Sequence, residues 1–394
     1  MSKKQKMLAI ELFAGIGGFR VAADQADLTT VWANDLSEKA CTVYSNCFGS
    51  DEIRQGDFVD FRHEIPAHDV LTGGFPCQPF SSAGKKEGVR DVRGTLFHHI
   101  VDVLKNHRPK YFILENVKRL LGMESGEHFA TILGALADLD YFVEWRLLNA
   151  INFGLPQNRE RVFIIGELVS KRTHHPLSSS FSPIKLATAT DLSCLRDKQH
   201  QLFNSSEWKS INRHKKSFEH WGIAYKGAFF SNTLDSFSAS APPVLLSSVL
   251  EDSVAPEFDF TKTTLTWLQN NTPVNRFVHG VEILSNQKGG ARMGYTIFGI
   301  NGVAPTLTST SSRHYERYKV GKLYRRLTNI EYARIQGFTD NHCFGLSIYD
   351  QYPLFGNAVP PPMAEWVIRR LRADGISLKD LPTQTRSRSL FDYA

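Results

Sequence analysis

The amino-acid sequence predicts an α/β fold, in which a doubly wound and largely parallel sheet is joined to a second, smaller and irregular domain rich in short strands. Three observations predict it. Short apolar runs alternate with helix-type runs over the first 170 residues. A glycine-rich turn follows the first apolar run. From about residue 171 the chain becomes rich in serine and proline, and the alternation ends.

Six apolar runs of strand length predict the large sheet: MLAIELF, TTVWAND, HDVLTGG, KYFILENV, YFVEWRLLN and RVFIIGEL. Four runs predict its helices: RVAADQA, EKACTVYSNC, TLFHHIVDVLKNH and EHFATILGALADL. Ser37 is suited to cap the second helix, and Pro109 to end the third. Strands that alternate with helices in this rhythm indicate parallel pairing with crossover helices.

The second half of the chain has a different pattern of apolar and polar residues. Between 171 and 320, short apolar runs are interrupted by Gly, Ser, Asn and Pro, which predicts a domain of short strands. Helical periodicity returns over 325–338 and 360–374, the second run opening with prolines, which the first turn of a helix tolerates. We therefore expect a large domain over 1–170 and 353–394, a smaller one over 171–338, and a hinge over 339–352.

Composition limits the class of protein. The net charge of +6 and the isoelectric point near 8.9 are compatible with a polyanionic partner. The cysteines form an odd, scattered set without a CxxC pair, which argues against a disulfide framework and a structural zinc site and favours a reducing cytoplasm; they are Cys41, Cys47, Cys77, Cys194 and Cys343. The first apolar run is short and contains Glu11, so we expect neither a signal peptide nor a transmembrane span.

The first turn, FAGIGGF, is typical of a nucleotide-like pocket. Gly15, Gly17 and Gly18 permit a tight turn, but Arg20 occupies the third glycine position of the dinucleotide fingerprint. An adenosyl ligand with a carboxylate fits better than a pyrophosphate. Asp35 ends the second strand, where an acid would hold ribose hydroxyls, and Asp57 could accept from an adenine amino group. A purely structural turn with a capping Asp35 is the alternative.

A reactive pair is predicted beyond two further strands. In GGFPCQPFSS, Cys77 lies between prolines in a polar loop, where a thiol can meet a ligand rather than pack in a core. Glu115 ends the strand KYFILENV and should project into the same crevice. Arg161, preceded by Arg159, could steady Glu115; the alternative is that both arginines lie on a solvated surface. A thiol beside a proton-donating carboxyl is suited to attack on an unsaturated heterocycle.

A basic stretch near the C-terminal third predicts a nucleic-acid surface. Arg313, Arg317 and neighbouring basic residues up to Arg325 and Arg326 alternate with tyrosines, a pattern that suits phosphate tracking, although a solvated face would give the same pattern.

Seven blocks, in order between residues 10 and 363, resemble the cytosine-specific DNA methyltransferases that act at ring carbon 5. They are ELFAGIGGF, GGFPCQPFS, DVRGTLF, ENVKRLL, PQNRERVFIIG, RRLTNIEYARIQGF and QYPLFGNAVPPPM. The resemblance implies a Rossmann-like S-adenosylmethionine-dependent methyltransferase domain, with the target-recognition domain in the variable stretch from about 171 to 320. The compact length is similar to that of bacterial modification enzymes.

The resemblance implies roles for matching positions. Cys77 corresponds to the nucleophile, Glu115 to the group that protonates the target base, Arg161 to its partner, and Arg159 to a further member of this set. The S-adenosylmethionine site would comprise Phe13, Gly15, Gly17, Gly18, Asp35, Leu36, Asp57, Phe58, Pro76, Leu96, Asn357 and Val359. The DNA contacts would comprise Gln78, Ser81, Arg292, Met293, Thr306, Leu307 and Arg313. One position departs from the family: Ala358 stands where serine is common.

The implied protein is a metal-independent cytoplasmic enzyme, associated with the nucleoid, that acts on double-stranded DNA as a monomer, with a cognate restriction endonuclease as a possible partner and no membrane contact. Three alternatives remain open. They are a tRNA cytosine methyltransferase of the same fold, a catalytically silent DNA-binding module, and a nicotinamide oxidoreductase. The arginine motif QNRER and the insert of roughly 150 residues favour DNA over tRNA. Cys77 and Arg20 disfavour the oxidoreductase.

Overall fold

The computed structural model describes residues 6–76, 96–169, 209–232, 243–269, 272–286, 296–309 and 316–371. Within these ranges the chain forms a ten-stranded sheet and a separate five-stranded sheet. No helix in these ranges has the length and apolar character needed to cross a membrane.

The large sheet contains all six predicted strands. Its strands, in chain order, are β1 Leu8–Leu12, β2 Thr29–Asp35, β3 Ile53–Gln55, β4 Val70–Gly74, β5 Tyr111–Val117, β6 Tyr141–Asn149, β7 Glu160–Leu168, β8 Lys209–Ser210, β9 Trp221–Tyr225 and β10 Ala228–Asn232. Their spatial order is β3-β2-β1-β4-β5-β7-β6-β9-β10-β8. The first five strands pair in parallel, as predicted for a doubly wound fold.

The parallel prediction is wrong for the last two predicted strands. β7 is antiparallel to both of its neighbours, β5 and β6. Only residues 150–159 separate β6 from β7, and they contain the short 3-10 turn Ala150–Phe153 rather than a helix. A parallel crossover needs a connection of about a dozen residues or more, usually helical, so this short link reverses the strand instead.

Five helices surround the large sheet before β6: α1 Gly18–Gln25, α2 Glu38–Phe48, α3 Phe58–Phe61, α4 Leu96–His107 and α5 Glu127–Ala137. The Ser37 hydroxyl accepts from the backbone N–H of Ala40 and caps α2 as predicted. A 3-10 segment, Lys118–Gly126, connects β5 to α5. Two apolar clusters are formed by these helices and the sheet.

The smaller sheet has the order β11 Thr272–Val278, β12 Val281–Asn286, β13 Thr296–Phe298, β14 Arg317–Val320 and β15 Leu323–Arg325. One described helix, α6 Lys262–Gln269, precedes this sheet in the chain. Three described helices follow it: α7 Asn329–Gln336, α8 Ile348–Asn357 and α9 Pro361–Leu371. Thr328 and Glu331 form a reciprocal capping box at the start of α7. The last helix, α9, packs on α1 through Val367 and Ala22 in a shared apolar cluster.

The sheet boundary differs from the domain boundary predicted at residue 171. Strands β8, β9 and β10 come from residues 209–232, which the sequence assigns to the smaller domain, yet they extend the large sheet. β9 pairs with β6 from Val143 to Arg146, because β6 would otherwise be an open apolar edge. The smaller sheet itself begins only at Thr272.

Candidate active site

A cavity of about 470 Å³ lies at the edge of the large sheet where β1, β2, β4 and β5 end. Open parallel sheets bind ligands at this edge, and small-molecule sites have volumes of roughly 300–1,000 Å³. Nine residues predicted from the sequence line the cavity: Phe13, Gly15, Asp35, Pro76, Glu115, Arg159, Arg161, Asn357 and Val359. Segments far apart in the sequence therefore meet at one site.

The glycine turn after β1 is fixed by Asp35. The Gly15 N–H donates to Asp35 Oδ2 at 2.8 Å, and the Ser37 N–H donates to Oδ1 at 2.8 Å. Burial raises the pKa of Asp35, and these backbone donors oppose that shift. A Cβ on Gly18 would lie 2.2 Å from the carbonyl oxygen of Val359, so the absence of a side chain lets the segment before α9 approach α1.

Glu115 and Arg161 form a buried ion pair inside the cavity. Arg161 Nε lies 2.9 Å from Glu115 Oε1, and Arg161 Nη1 donates to the Glu160 carbonyl oxygen at 2.8 Å. The pairing of β5 with β7 produces this contact, because Arg161 lies opposite Val117, which shares a strand face with Glu115. Burial raises the pKa of Glu115, and the two arginines oppose the shift only in part. The carboxyl group is therefore suited to donate a proton.

Arg159 lines the same cavity, but backbone carbonyls occupy its terminal nitrogens. Nη1 donates to Leu307 O at 2.9 Å, and Nη2 donates to Gly356 O and to Ala358 O, also at 2.9 Å. Its side chain is only 1% exposed. These contacts tie three segments together and give Arg159 a positioning role, while the catalytic role expected from the sequence stays a prediction.

Replacing Arg159 by methionine should lower the free energy of unfolding by on the order of 3 kcal/mol, because three buried carbonyls would lose their donor. Urea unfolding of both proteins measures the change. Lys118→Met is the matched control, since it removes an exposed cation paired with Glu160, and should cost less than about 1 kcal/mol. Equal losses in the two variants would contradict the positioning role.

The predicted DNA-contact pair, Thr306 and Leu307, is held against the segment that precedes β7. Thr306 Oγ1 donates to Asn158 O at 2.6 Å, and Gln157 Oε1 accepts from the Leu307 N–H at 2.9 Å. The Leu307 side chain is fully buried in the apolar cluster of the smaller domain. Thr306 is only partly buried, and the contact of this pair with DNA stays a prediction.

Several other predicted residues are not among the described residues that line the cavity. Asp57 caps α3, its Oδ1 accepting from the Val59 N–H at 2.9 Å, and Phe58 is buried against His99. The rest of this group are Gly17, Gly18, Leu36 and Leu96. Leu36 is 74% exposed and follows Asp35 directly, while Leu96 begins α4.

The predicted basic surface is wrong for two of its members. Arg325 is buried and makes a bidentate ion pair with Glu331 on α7. Arg326 is buried over the ring of Phe258 and donates to the Glu257 carbonyl. Both arginines therefore fix α7 and its surroundings and are unavailable to phosphates. The prediction failed here because the sequence shows which residues are charged but not which side chains are buried.

Six predicted residues lie outside the described residues: Cys77, Gln78, Ser81, Arg292, Met293 and Arg313. Cys77 is the residue that follows Pro76, which lines the cavity.

Comparison with known protein families identifies the family to which the chain with this site belongs. The C-5 cytosine-specific DNA methylase family matches residues 7–373. The chain belongs to this family. It is accordingly a DNA (cytosine-5-)-methyltransferase, as the order of its seven sequence blocks predicts.

Similar proteins agree with the assignment. Over 377 residues the methylase is 32% identical to the Type II methyltransferase M1.ScrFI of Lactococcus lactis subsp. cremoris, covering 94% of this chain and 79% of that protein. It is 31% identical to the Type II methyltransferase M.HpaII of Haemophilus parainfluenzae, covering 91% and 87%. The fold is shared with the Dnmt2 methyltransferase of S. pombe, with a TM-score of 0.57 at 16% identity, covering 92% of this chain and 97% of that one.

The structure adds site residues of the methylase that the sequence analysis missed. Glu11 on β1 lines the cavity, and burial raises its pKa to about 8. Asn116 Nδ2 donates to Phe75 O at 2.9 Å, which ties the end of β5 to the residues just before Cys77. An acid inside the apolar run MLAIELF was a signal for Glu11. No comparable signal singled out Asn116, because its role depends on the neighbouring strand.

Ala358, which stands where the family commonly has serine, keeps its backbone contact with Arg159. Ala358 is buried, lines the cavity and accepts from Arg159 through its carbonyl oxygen, a contact that needs no side chain. Among the residues that the structure describes, no group of three or more His, Cys, Asp or Glu side chains is arranged to hold a metal ion.

Proposed function

We propose that this methylase transfers a methyl group from S-adenosylmethionine to carbon 5 of a cytosine that is flipped out of a specific short sequence in duplex DNA. The observation that carries the proposal is the buried Glu115–Arg161 pair, 2.9 Å apart, in the cavity beside the glycine turn. The Type II methyltransferases to which the chain is similar support a role in a restriction-modification system. We further propose that the methylase has a companion endonuclease and that it acts at the nucleoid as a monomer.

The cavity residues fit an adenosyl cofactor with a cationic centre. A Cβ on Gly15 would meet no atom within 4 Å, so this part of the turn leaves room for a ligand. The carboxyl groups of Asp35 and Glu11 line the same space, and Glu11 Oε2 is buried without a hydrogen-bond partner among the described residues. Carboxylate oxygens suit ribose hydroxyls and an amino group. S-adenosylmethionine, when bound, supplies an electrophilic methyl group on a sulfonium.

The residues of the chain make carbon 5 of the target base reactive. The Cys77 thiolate forms a bond to carbon 6 of cytosine while Glu115 gives its proton to ring nitrogen 3. The electron pair of the 5,6 double bond then makes carbon 5 nucleophilic. Arg161 holds the Glu115 carboxylate in place after its proton has left. Once carbon 5 carries the methyl group, a base removes its proton, the 5,6 double bond reforms, the Cys77 thiolate leaves and ring nitrogen 3 returns its proton to Glu115.

The target base must leave the duplex, because its ring edge is unreachable inside the base stack. Flipping costs a few kcal/mol, because the base must unstack from its neighbours. Thr306 is partly buried, and its hydroxyl donates to the carbonyl oxygen of Asn158, two residues before Glu160 at the start of β7. We propose that this segment faces the flipped nucleotide.

Bisulfite sequencing of DNA from a bacterial host that expresses the chain tests the proposed function. We expect cytosines protected at one short sequence, with unprotected cytosines elsewhere. Purified enzyme with labelled S-adenosylmethionine should then methylate a duplex that carries this sequence, while tRNA should accept no label. Label in tRNA alone would favour the RNA alternative and overturn the proposal.

A further inference from the structure

A cluster of basic side chains precedes β9, in the stretch assigned to target recognition, although the sequence analysis named none of them as a DNA contact. Lys209, Arg213, Lys215 and Lys216, here called the 209–216 patch, are all exposed. Among the described residues, no carboxylate lies within ion-pair distance of any of the four. Residues 209–220 contain one acid, Glu219. The patch therefore carries positive charge that the described structure does not neutralise.

Aromatic packing fixes the backbone beneath the patch. Phe218 is buried, and its ring centroid lies 5.0 Å from that of Phe129 on α5 and 4.9 Å from that of Phe229 on β10. The His214 ring packs on Phe218 at 4.4 Å. Burial lowers the pKa of His214, and the charges of Lys209 and Lys216 lower it further, while hydrogen bonds to the backbone of Lys216 and Ser217 oppose the shift. A fixed backbone lets the exposed side chains bind a partner at a smaller entropic cost.

The patch reaches the edge of the large sheet that bears the active site. The Phe218 N–H donates to Leu121 O at 2.9 Å, in the 3-10 segment that follows β5. A Cβ on Gly126 would lie 2.0 Å from the Lys216 carbonyl oxygen, so this loop lies directly on the same segment. The sheet order β5-β7-β6-β9-β10-β8 places β9, which follows the patch, three strands from β5, or about 15 Å at the usual strand spacing. Lys209 lies on β8, five strands from β5, or about 24 Å.

We propose that the 209–216 patch binds backbone phosphates of duplex DNA that flanks the methylated sequence, an inference that rests on the proposed function. Separations of about 15 to 24 Å along a duplex correspond to about four to seven base pairs at 3.4 Å per pair. The patch therefore lies at a suitable distance for phosphates just outside a short recognition sequence. Lysine and arginine contacts to phosphates supply affinity and orientation without reading the sequence.

The test compares Lys215→Gln/Lys216→Gln with wild type by fluorescence anisotropy over a salt titration. The probe is a labelled duplex with long flanks on both sides of the sequence found by bisulfite mapping. We expect the double variant to bind more weakly and the slope of log affinity against log salt to fall by about 2, near 0.9 for each lost phosphate contact. On a duplex trimmed to the recognition sequence, the two proteins should bind alike, and the methylated position should be unchanged.

The matched control is Lys105→Gln/Lys110→Gln, which removes two exposed cations away from the patch, at the end of α4 and just before β5. It should keep the wild-type slope on the long duplex. An unchanged slope in the Lys215→Gln/Lys216→Gln protein, with wild-type binding and methylation intact, would overturn the patch proposal alone. Failure of the wild-type protein to methylate DNA would instead overturn the proposed function.

Discussion

Replacing Cys77 by serine should abolish methyl transfer to DNA, with a loss of turnover on the order of 10⁴-fold or more. Serine has a far less acidic hydroxyl than the thiol it replaces, so it cannot form the bond to carbon 6 of cytosine at neutral pH. Transfer of labelled methyl groups to a duplex carrying the mapped sequence measures the loss. Binding of the same duplex should be retained, because the change removes only one sulfur atom.

A mechanism-based substrate separates this explanation from a general loss of structure. In DNA containing 5-fluorocytosine, fluorine replaces the hydrogen that must leave carbon 5, so the wild-type protein should remain covalently attached to the DNA. Cys77→Ser should form no adduct, whereas Cys47→Ser should form it fully. Cys47 is exposed and outside the described cavity lining, and its thiol donates to a backbone carbonyl that a serine hydroxyl can also reach. An adduct with Cys77→Ser would show that another residue is the nucleophile.

Replacing Glu115 by glutamine should lower kcat by roughly 10²- to 10⁴-fold, the usual contribution of a positioned proton donor. Glutamine keeps the shape of the side chain and can still contact Arg161, but it cannot release a proton to the base. Burial raises the pKa of Glu115, so the fraction in the required protonated form falls as pH rises through that pKa. The wild-type rate should therefore show a descending limb that Glu115→Gln lacks.

The measurement is single-turnover methyl transfer across a pH series, which separates chemistry from product release. Glu160→Gln is the control, because this neighbouring acid is partly exposed and paired with Lys118 at the surface. It should retain the wild-type rate and pH profile. A descending limb that persists unchanged in Glu115→Gln would assign the titration to a different group and remove Glu115 as the proton donor.

The parallel half of the fold and the core of the site could be predicted because local patterns determine them. Apolar runs of strand length, each followed by a helix, are sufficient to place β1, β2, β4 and β5. The parallel arrangement then brings the residues at their ends to one edge, which is why Asp35 and Glu115 could be expected near the glycine turn.

Contacts between distant segments could not be predicted in the same way. The reversal of β7 depends on the short link after β6, and the addition of β9 to the large sheet depends on an otherwise open edge at Arg146 and its neighbours. Likewise, Arg159 and Arg161 look equivalent in QNRER, although one contacts backbone carbonyls and the other a carboxylate. Arg159 directly precedes β7 and Arg161 lies within it, and only the neighbouring segments separate their roles.

The contacts of Gln157 and Arg159 bear on the engineering of new target sequences. These two side chains bind the backbone of Leu307 and, through Arg159, the carbonyls around Asn357, which lines the cavity. A chimaera that imports recognition loops from a relative should therefore keep residues 304–309 of the recipient and place its junctions on either side of them. Grafts that cut within this segment should lose cofactor affinity together with their original specificity.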